Sequence, residues 1–366
     1  MMRRALALAA ALSLGLVAAD ARATVTVDGR TMSVVDMHLH PGRYGQIPAS
    51  ARAFTVGAIP EFARLYAPAV FRELLDPFAE HVGIREQTRW AGVDHAVLYA
   101  VYTYRTSGFF TNEQLDEALG GTDGRALEPD GLPWAWGFAS IDFFSDWERE
   151  APERLDALSS FFEADRRGRF IGIKLAHAHQ AVAFDDPRYL GVYDVAAKHG
   201  VPVLLHTGFS PFPNAKTEPA YYDPEGLAQV VLQHDGKHGP GRVDFVLSHV
   251  GQGDARSVEH ALSLAQRSDN VYLEISALAR PLLVDGDGHP TTATEPQYPF
   301  VLAQIKQRGL AKKTLYGSDG PQFSGMGKSY LAKMITGMKD AGFTLDEIAD
   351  VLSANFFRLY QRSRPR

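Results

Sequence analysis

Val201-Pro202-Val203-Leu204-Leu205-His206-Thr207-Gly208 is an apolar run that ends in one histidine and a glycine turn, and Val243-Asp244-Phe245-Val246-Leu247-Ser248-His249-Val250-Gly251 repeats the arrangement one unit later. Short runs rich in Val, Leu and Phe that stop at Gly have the composition of buried strands. Either histidine alone fits a hydrogen-bonded rim residue. Two in succession, each at the end of an otherwise apolar strand, point to a shared role. Six more segments of the same character lie outward from this pair, at 33–40, 95–102, 134–142, 170–177, 270–278 and 314–321. Helical patterns fill the intervals, clearly over 146–167, 187–199 and 254–267, where Val258, Ala261, Leu262 and Ala265 fall at i, i+3, i+4 and i+7.

Strand and helix in alternation predict a parallel sheet with crossover helices, either doubly wound or closed. Polar residues at the strand ends decide between the two. His38 and His40 end the first segment, Lys174 and His177 the fourth, His206 the fifth, His249 the sixth and Asp319 the eighth. An open sheet would string these along a line, whereas a closed barrel turns every carboxyl end toward one mouth. The expected fold is therefore α/β, a (β/α)8 TIM barrel with a helical insertion after strand 1. That insertion, about 41–92, should form a small cap, and a Gly-, Asp- and Thr-rich loop at 281–299 should shape access to the mouth. The stretch 344–361 reads as one amphipathic helix, opened by a capping box of Thr344 and Glu347.

At 366 residues, 45% hydrophobic and 22% charged, the chain is long enough for one large catalytic domain, expected over 24–366. Residues 1–23 carry Arg3 and Arg4, an apolar stretch and Ala21-Arg22-Ala23, the layout of a cleavable secretory signal. The expected product is exported, periplasmic or secreted, with no membrane insertion after cleavage. Its formal charge falls from −6 to −8 once that segment is removed, which argues against nucleic acid as a partner. A small-molecule substrate is expected, and the sequence allows a homo-oligomer. With no cysteine, any metal must be held by His, carboxylate or modified Lys.

In Asp36-Met37-His38-Leu39-His40 the two histidines are one residue apart, so on a strand both rings project to one face, with Asp36 one step deeper. Asp319 lies in the Gly-flanked turn Gly317-Ser318-Asp319-Gly320, where an acid can face a bound water or cap the next helix. Three imidazoles and one carboxylate make a site for Zn²⁺ or a similar divalent ion. In Phe170-Ile171-Gly172-Ile173-Lys174-Leu175, alternation sends Ile171, Ile173 and Leu175 outward and Gly172 and Lys174 into the barrel. His177 and His179 follow on the loop and, with Arg43, are candidate substrate contacts. Arg105, Lys216 and Arg280 also follow strand ends, and Glu274 alternates with Ser276 on strand seven, facing either the pocket or a buried partner.

The ordered set Asp36-x-His38-x-His40, Gly172-Ile173-Lys174-Leu175, Pro202 to Gly208, Leu247 to Gly251, Gly317-Ser318-Asp319 and Asn355-Phe356-Phe357-Arg358-Leu359 resembles the amidohydrolase superfamily. Within it, the pattern is most similar to the amidohydrolase-related branch that includes aminocarboxymuconate semialdehyde decarboxylase. By that resemblance His38, His40 and His206 are metal ligands, Asp319 is a ligand that also handles protons, and His249 orients or activates the attacking water. Relatives with two metals carboxylate a lysine at the end of strand four. Lys174 in that form would bridge two ions, His206 and His249 holding the second. Unmodified, it stays cationic, paired with a carboxylate such as Asp36 or with substrate, and the site holds one ion. The expected activity is hydrolysis of an amide, ester or lactone bond by a metal-activated water. The alternatives are a metal-dependent non-oxidative decarboxylase or hydratase, and a barrel that only binds metal or solute.

Overall fold

The computed structural model describes residues 24–360 except 58–60, 80–82, 145, 164–165, 167, 240 and 322–324. The expected signal segment 1–23 lies outside the described residues. Eight strands run parallel in one sheet: β1 (Val35–Leu39), β2 (His95–Tyr99), β3 (Ala135–Ala139), β4 (Phe170–Leu175), β5 (Val203–His206), β6 (Phe245–Ser248), β7 (Val271–Glu274) and β8 (Thr314–Leu315). Their order in the sheet follows the chain. Backbone bonds from the β1 end to the stretch after β8 bring the edges together: Met37 N–H donates to Tyr316 O (3.1 Å), Asp319 N–H to His38 O (3.0 Å) and His40 N–H to Gly320 O (2.8 Å). The expected (β/α)8 architecture is thus present, and its closure runs through the residues that carry the site.

One helix follows each strand on the outside, from Ile84–Ala91 after β1 to Met326–Asp340 after β8. Local chemistry sets their ends. Asp254 accepts from the amides of Arg256 (2.8 Å) and Ser257 (3.3 Å), which starts Ala255–Arg267. The Val258, Ala261, Leu262 and Ala265 stripe of that helix is buried as its spacing predicts. A large apolar cluster lies between helices and sheet. A second one fills the barrel below the mouth, where Val35, Val97, Leu204 and Val246 meet Trp136 and Phe138. Phe356 and Tyr360 from Asn355–Tyr360 close its floor, 5.4 Å from the Trp136 ring and 5.8 Å from the Phe138 ring.

Two register slips break the simple alternation. Between β3 and β4, Gly137 pairs with Phe170 and Phe138 with Gly172, so Ile171 is an extra residue. It joins the inner cluster instead of facing the helices. Gly172 faces inward as expected, for a Cβ there would lie 2.5 Å from Phe138 Cζ. Between β1 and β2 the register shifts between Asp36 and Leu39, and Met37 joins the inner cluster with Val35. Asp36 therefore serves the backbone, its Oδ1 accepting from His38 N–H (3.1 Å) and Ser318 N–H (2.9 Å).

The insertion after β1 holds the helix Ala49–Gly57, the 3₁₀ turn Glu61–Tyr66 and the helix Ala67–Leu74. Ile84–Ala91, expected within the cap, is instead the barrel helix and packs on Met326–Asp340. A hairpin of Val101–Thr103 and Gly108–Phe110 adds to the rim after β2. The C-terminal helix opens with the expected capping box, Thr344 Oγ1 accepting from Glu347 N–H (3.2 Å) and Glu347 Oε2 from Thr344 N–H (2.7 Å). It is interrupted by a π turn at Asp350–Ala354.

Candidate metal centre

His38 and His40 leave the end of β1 with their Nε2 atoms 3.0 Å apart. Asp319 Oδ1 lies 3.4 Å from the first and 3.3 Å from the second. Tetrahedral ligands at Zn–N and Zn–O bonds of about 2.0–2.1 Å sit about 3.3 Å from one another, so this triangle has the edge length of three ligands on one ion. His38 Nδ1 faces Glu274 Oε2 at 2.8 Å. Burial pushes the Glu274 carboxyl up to about 8, against the Ser276 hydrogen bond and the Lys174 charge; in its ionised form it accepts from His38 Nδ1–H and leaves the His38 Nε2 lone pair for the triangle. His38, His249 and Asp319 also bring ligand atoms within 4.8 Å of one another.

Electrostatics suit a cation. Burial and the Lys174 charge hold His38 far below the usual imidazole range, burial and the His249 charge do the same for His206, and burial lowers His249 to about 3 against the pull of Asp319. These rings are neutral at pH 7 and have lone pairs to give. Burial works to protonate Asp319, but its contact with His40 and the neighbouring His249 and Arg280 prevail and hold it below the usual carboxylate range. His206 Nδ1 is 3.1 Å from His249 Nε2. The other nitrogen, His206 Nε2, is buried with no hydrogen-bond partner among the described residues, an orphan of the kind an ion would satisfy.

Strained backbone marks the same rim. His249, Val250, Ala277 and Asp319 all have positive φ, at 65°, 49°, 58° and 63°, each costing on the order of 1–3 kcal/mol. Close approach explains two of the glycines: a Cβ on Gly317 would lie 2.7 Å from His38 Cβ and 2.8 Å from Glu274 Cδ, and one on Gly208 would meet the Gly251–Gln252 backbone.

Lys174 is buried beneath this cluster, its Nζ donating to Ser248 Oγ at 3.5 Å and lying 5.2 Å from the Tyr99 ring centroid. Burial lowers its pKa, against the attraction of Asp319 and Glu274. The expected pairing with Asp36 does not form, because both Asp36 bonds go to the backbone. Arg43, His179, His206, His249 and Asp319 line one cavity, with Lys174 at its base. His177 does not. Its Nδ1–H donates to Val182 O (3.0 Å), its Nε2 meets Tyr193 OH (3.3 Å), and it packs on Phe184. The short helix His177–Gln180 sends residues two apart in different directions, so only His179 faces the mouth, with its Nδ1 on Thr106 Oγ1 at 2.8 Å.

Phe71 and Leu75 from the insertion, Phe109 from the rim hairpin and Phe212 after β5 form apolar walls of the cavity, and Arg43, Arg52 and Arg280 also line it. None of the three guanidinium groups has a carboxylate partner among the described residues. Arg52 stacks over Tyr44 at 5.2 Å. Sequence reasoning missed Arg52, since nothing in an exposed helical pattern says that it turns toward a site. Arg105 and Lys216 lie in a separate open groove.

A (β/α)8 barrel with histidines and a carboxylate gathered at its carboxyl-terminal mouth defines a class of enzymes that work with a divalent metal ion. The chain belongs to the amidohydrolase family, whose sequence profile matches residues 143–362, a span that takes in β4 to β8. No curated protein sequence matches it. Among solved structures it is similar to an uncharacterised TIM-barrel protein from Bordetella bronchiseptica, with TM-score 0.61 and 16% identity over 91% of this chain and 99% of that one. A probable 2-pyrone-4,6-dicarboxylic acid hydrolase from Acinetobacter baumannii, with citric acid bound, gives 0.52 and 17% over 90% and 100%. A dihydroxybenzoic acid decarboxylase from Polaromonas sp. JS666, with manganese and 2-nitroresorcinol bound, gives 0.53 and 13% over 91% and 98%. At these identities the likeness shows the fold alone.

Proposed function

We propose that the protein is a metal-dependent hydrolase that cleaves an amide, ester or lactone bond in a small carboxylated substrate. The observation that carries this is the 3.0–3.4 Å triangle of His38 Nε2, His40 Nε2 and Asp319 Oδ1, set in a cavity with apolar walls and arginines that have no carboxylate partner among the described residues. His38, His40, His206 and Asp319 would hold the ion, and zinc is the first choice for such a set. When bound, the ion polarises a carbonyl and brings the pKa of a water toward neutrality.

The chain's own groups supply the rest. Asp319, ionised and 15% exposed at its side chain, is placed to take a proton from water and pass it to the leaving group. His249, expected to orient or activate the water, already has its Nε2 against His206 Nδ1, which leaves Asp319 as the proton-handling group. Arg280, close enough to influence both Asp319 and His249, would anchor the substrate carboxylate. The apolar walls keep bulk water from the reacting bond.

Non-oxidative decarboxylation or hydration is the second reading, favoured by the same arginines, since a carboxylate held beside the metal is also one that can be lost. A second ion would require carboxylated Lys174. An exported location rests on residues 1–23 and is part of the proposal. The test is turnover by the zinc-loaded enzyme on carboxylated esters, amides and lactones beside carboxylated phenols. Hydrolysis lost on chelation and restored by zinc supports the proposal, whereas carbon dioxide release with every ester, amide and lactone left intact replaces it with the lyase.

A further inference from the structure

Three glutamines are buried among the described residues, Gln180, Gln252 and Gln297. Two of them spend their amides on the backbone. Gln180 accepts from Ala176 N–H (3.2 Å) and donates to Ile141 O (2.7 Å). Gln297 accepts from Gly253 N–H (3.0 Å) and donates to Arg280 O and Pro281 O, both at 3.1 Å. Gln252 does neither, although it is only 3% exposed. Its Oε1 is buried with no partner among the described residues, and its Nε2 bonds to none of them. This residue lines the cavity of the metal centre, together with His249, Arg280 and Asp319.

Its backbone has no room to move. Gln252 N–H donates to His249 O (2.9 Å), and Gln252 O accepts from Phe209 N–H (2.8 Å), which ties the turn after β6 to the loop after β5. A Cβ on Gly208 would overlap the same backbone. Gln297, bonded at once to Gly253 N–H and Arg280 O, fixes the stretch that carries the amide against the stretch that carries the guanidinium. A buried amide without a partner costs stability, and an apolar side chain of the same length would not. The fold bears that cost at a cavity wall, where a bound molecule can supply the missing bond. A hydroxyl meets the amide whichever way its oxygen and nitrogen lie, donating to the one or accepting from the other.

We propose that Gln252 is a specificity-determining residue whose amide hydrogen-bonds a hydroxyl of the substrate, so that the cavity selects hydroxylated carboxylates over their deoxy counterparts. The carboxylate half of this description rests on the reading of Arg280 given above. The unpaired amide does not.

The test has two arms, thermal unfolding with chelator present and calorimetric titration of the full-length protein with zinc added. The probes are 2-, 3- and 4-hydroxyphenylacetate against phenylacetate, which lacks only the hydroxyl. Gln252→Met, unbranched and equal in length, should melt no lower than wild type. At least one hydroxylated isomer should bind wild type about tenfold or more tightly than phenylacetate. In Gln252→Met that preference should shrink to less than about threefold, with phenylacetate binding unchanged, and Gln252→Asn, whose amide is one methylene short, should behave likewise. A melting temperature more than about 3 °C below wild type in Gln252→Met would mean that the fold itself uses the amide. That result overturns the proposal, as does a wild type that binds no isomer more tightly than phenylacetate, or a preference that survives in Gln252→Met. If the preference follows Gln252 but no ester, amide or lactone is hydrolysed, the specificity residue stands and the hydrolase falls; hydrolysis without the preference gives the reverse.

Discussion

Replacing Gly317 by alanine tests the centre where its packing is tightest. The added Cβ would lie 2.7 Å from His38 Cβ and 2.8 Å from Glu274 Cδ, against an ordinary contact of about 3.5–4.0 Å. Both neighbours are fully buried, and Glu274 is anchored by His38 and Ser276. Overpacking of this kind costs about 1–3 kcal/mol, and a buried hydrogen bond pulled off His38 costs about 1–3 kcal/mol more. Together they predict a melting temperature lower by on the order of 5–10 °C. The displaced His38 ring should weaken zinc binding at least tenfold. Thermal unfolding with chelator present isolates the packing cost, and zinc competition titration reads the ligand geometry. Gly286→Ala, in a loop with nothing within 4 Å of the added atom, is the control and should change neither quantity. A Gly317→Ala protein with wild-type melting in chelator and wild-type zinc affinity would refute the placement of Glu274 against His38.

Asp319→Asn should lower kcat by roughly 10²–10⁴ while circular dichroism and melting stay close to wild type, and a loss under tenfold would remove Asp319 from proton transfer. Arg280→Met should raise KM for a carboxylated ester about tenfold or more and leave the matching uncharged ester unchanged; equal effects on both would show that no carboxylate binds there. His177 gives a pH prediction away from the metal. Burial lowers it from 6.5 to about 4, so its contribution to stability is complete above pH 6.5 and is lost as pH falls toward 4. Between pH 7 and 5, urea unfolding of wild type should lose about 2 kcal/mol more than that of His177→Asn. Parallel pH slopes would rule this out.

Several features were written locally in the chain and needed no structure to be found. Short β-rich apolar runs marked eight strands, the spacing of Val258, Ala261, Leu262 and Ala265 marked a buried helical face, and Thr344 with Glu347 marked a capping box, because period and capping depend on neighbours a few residues away. The convergence of strand-end residues was legible too, once a closed barrel was inferred from them. What the tertiary structure alone decided involves partners far apart in sequence. The slips at Ile171 and after Asp36 arise where neighbouring strands must fit a closed barrel, and Asp36, expected one step below His38 as a possible partner of Lys174, clamps the backbone instead. His177 and His179 look alike as letters, but only contact with Val182, Tyr193 and Thr106 separates a core residue from a cavity residue. Glu274 meets His38 across 236 positions of chain. No periodicity encodes that meeting, because it exists only when the barrel shuts and brings β7 and β8 around to β1.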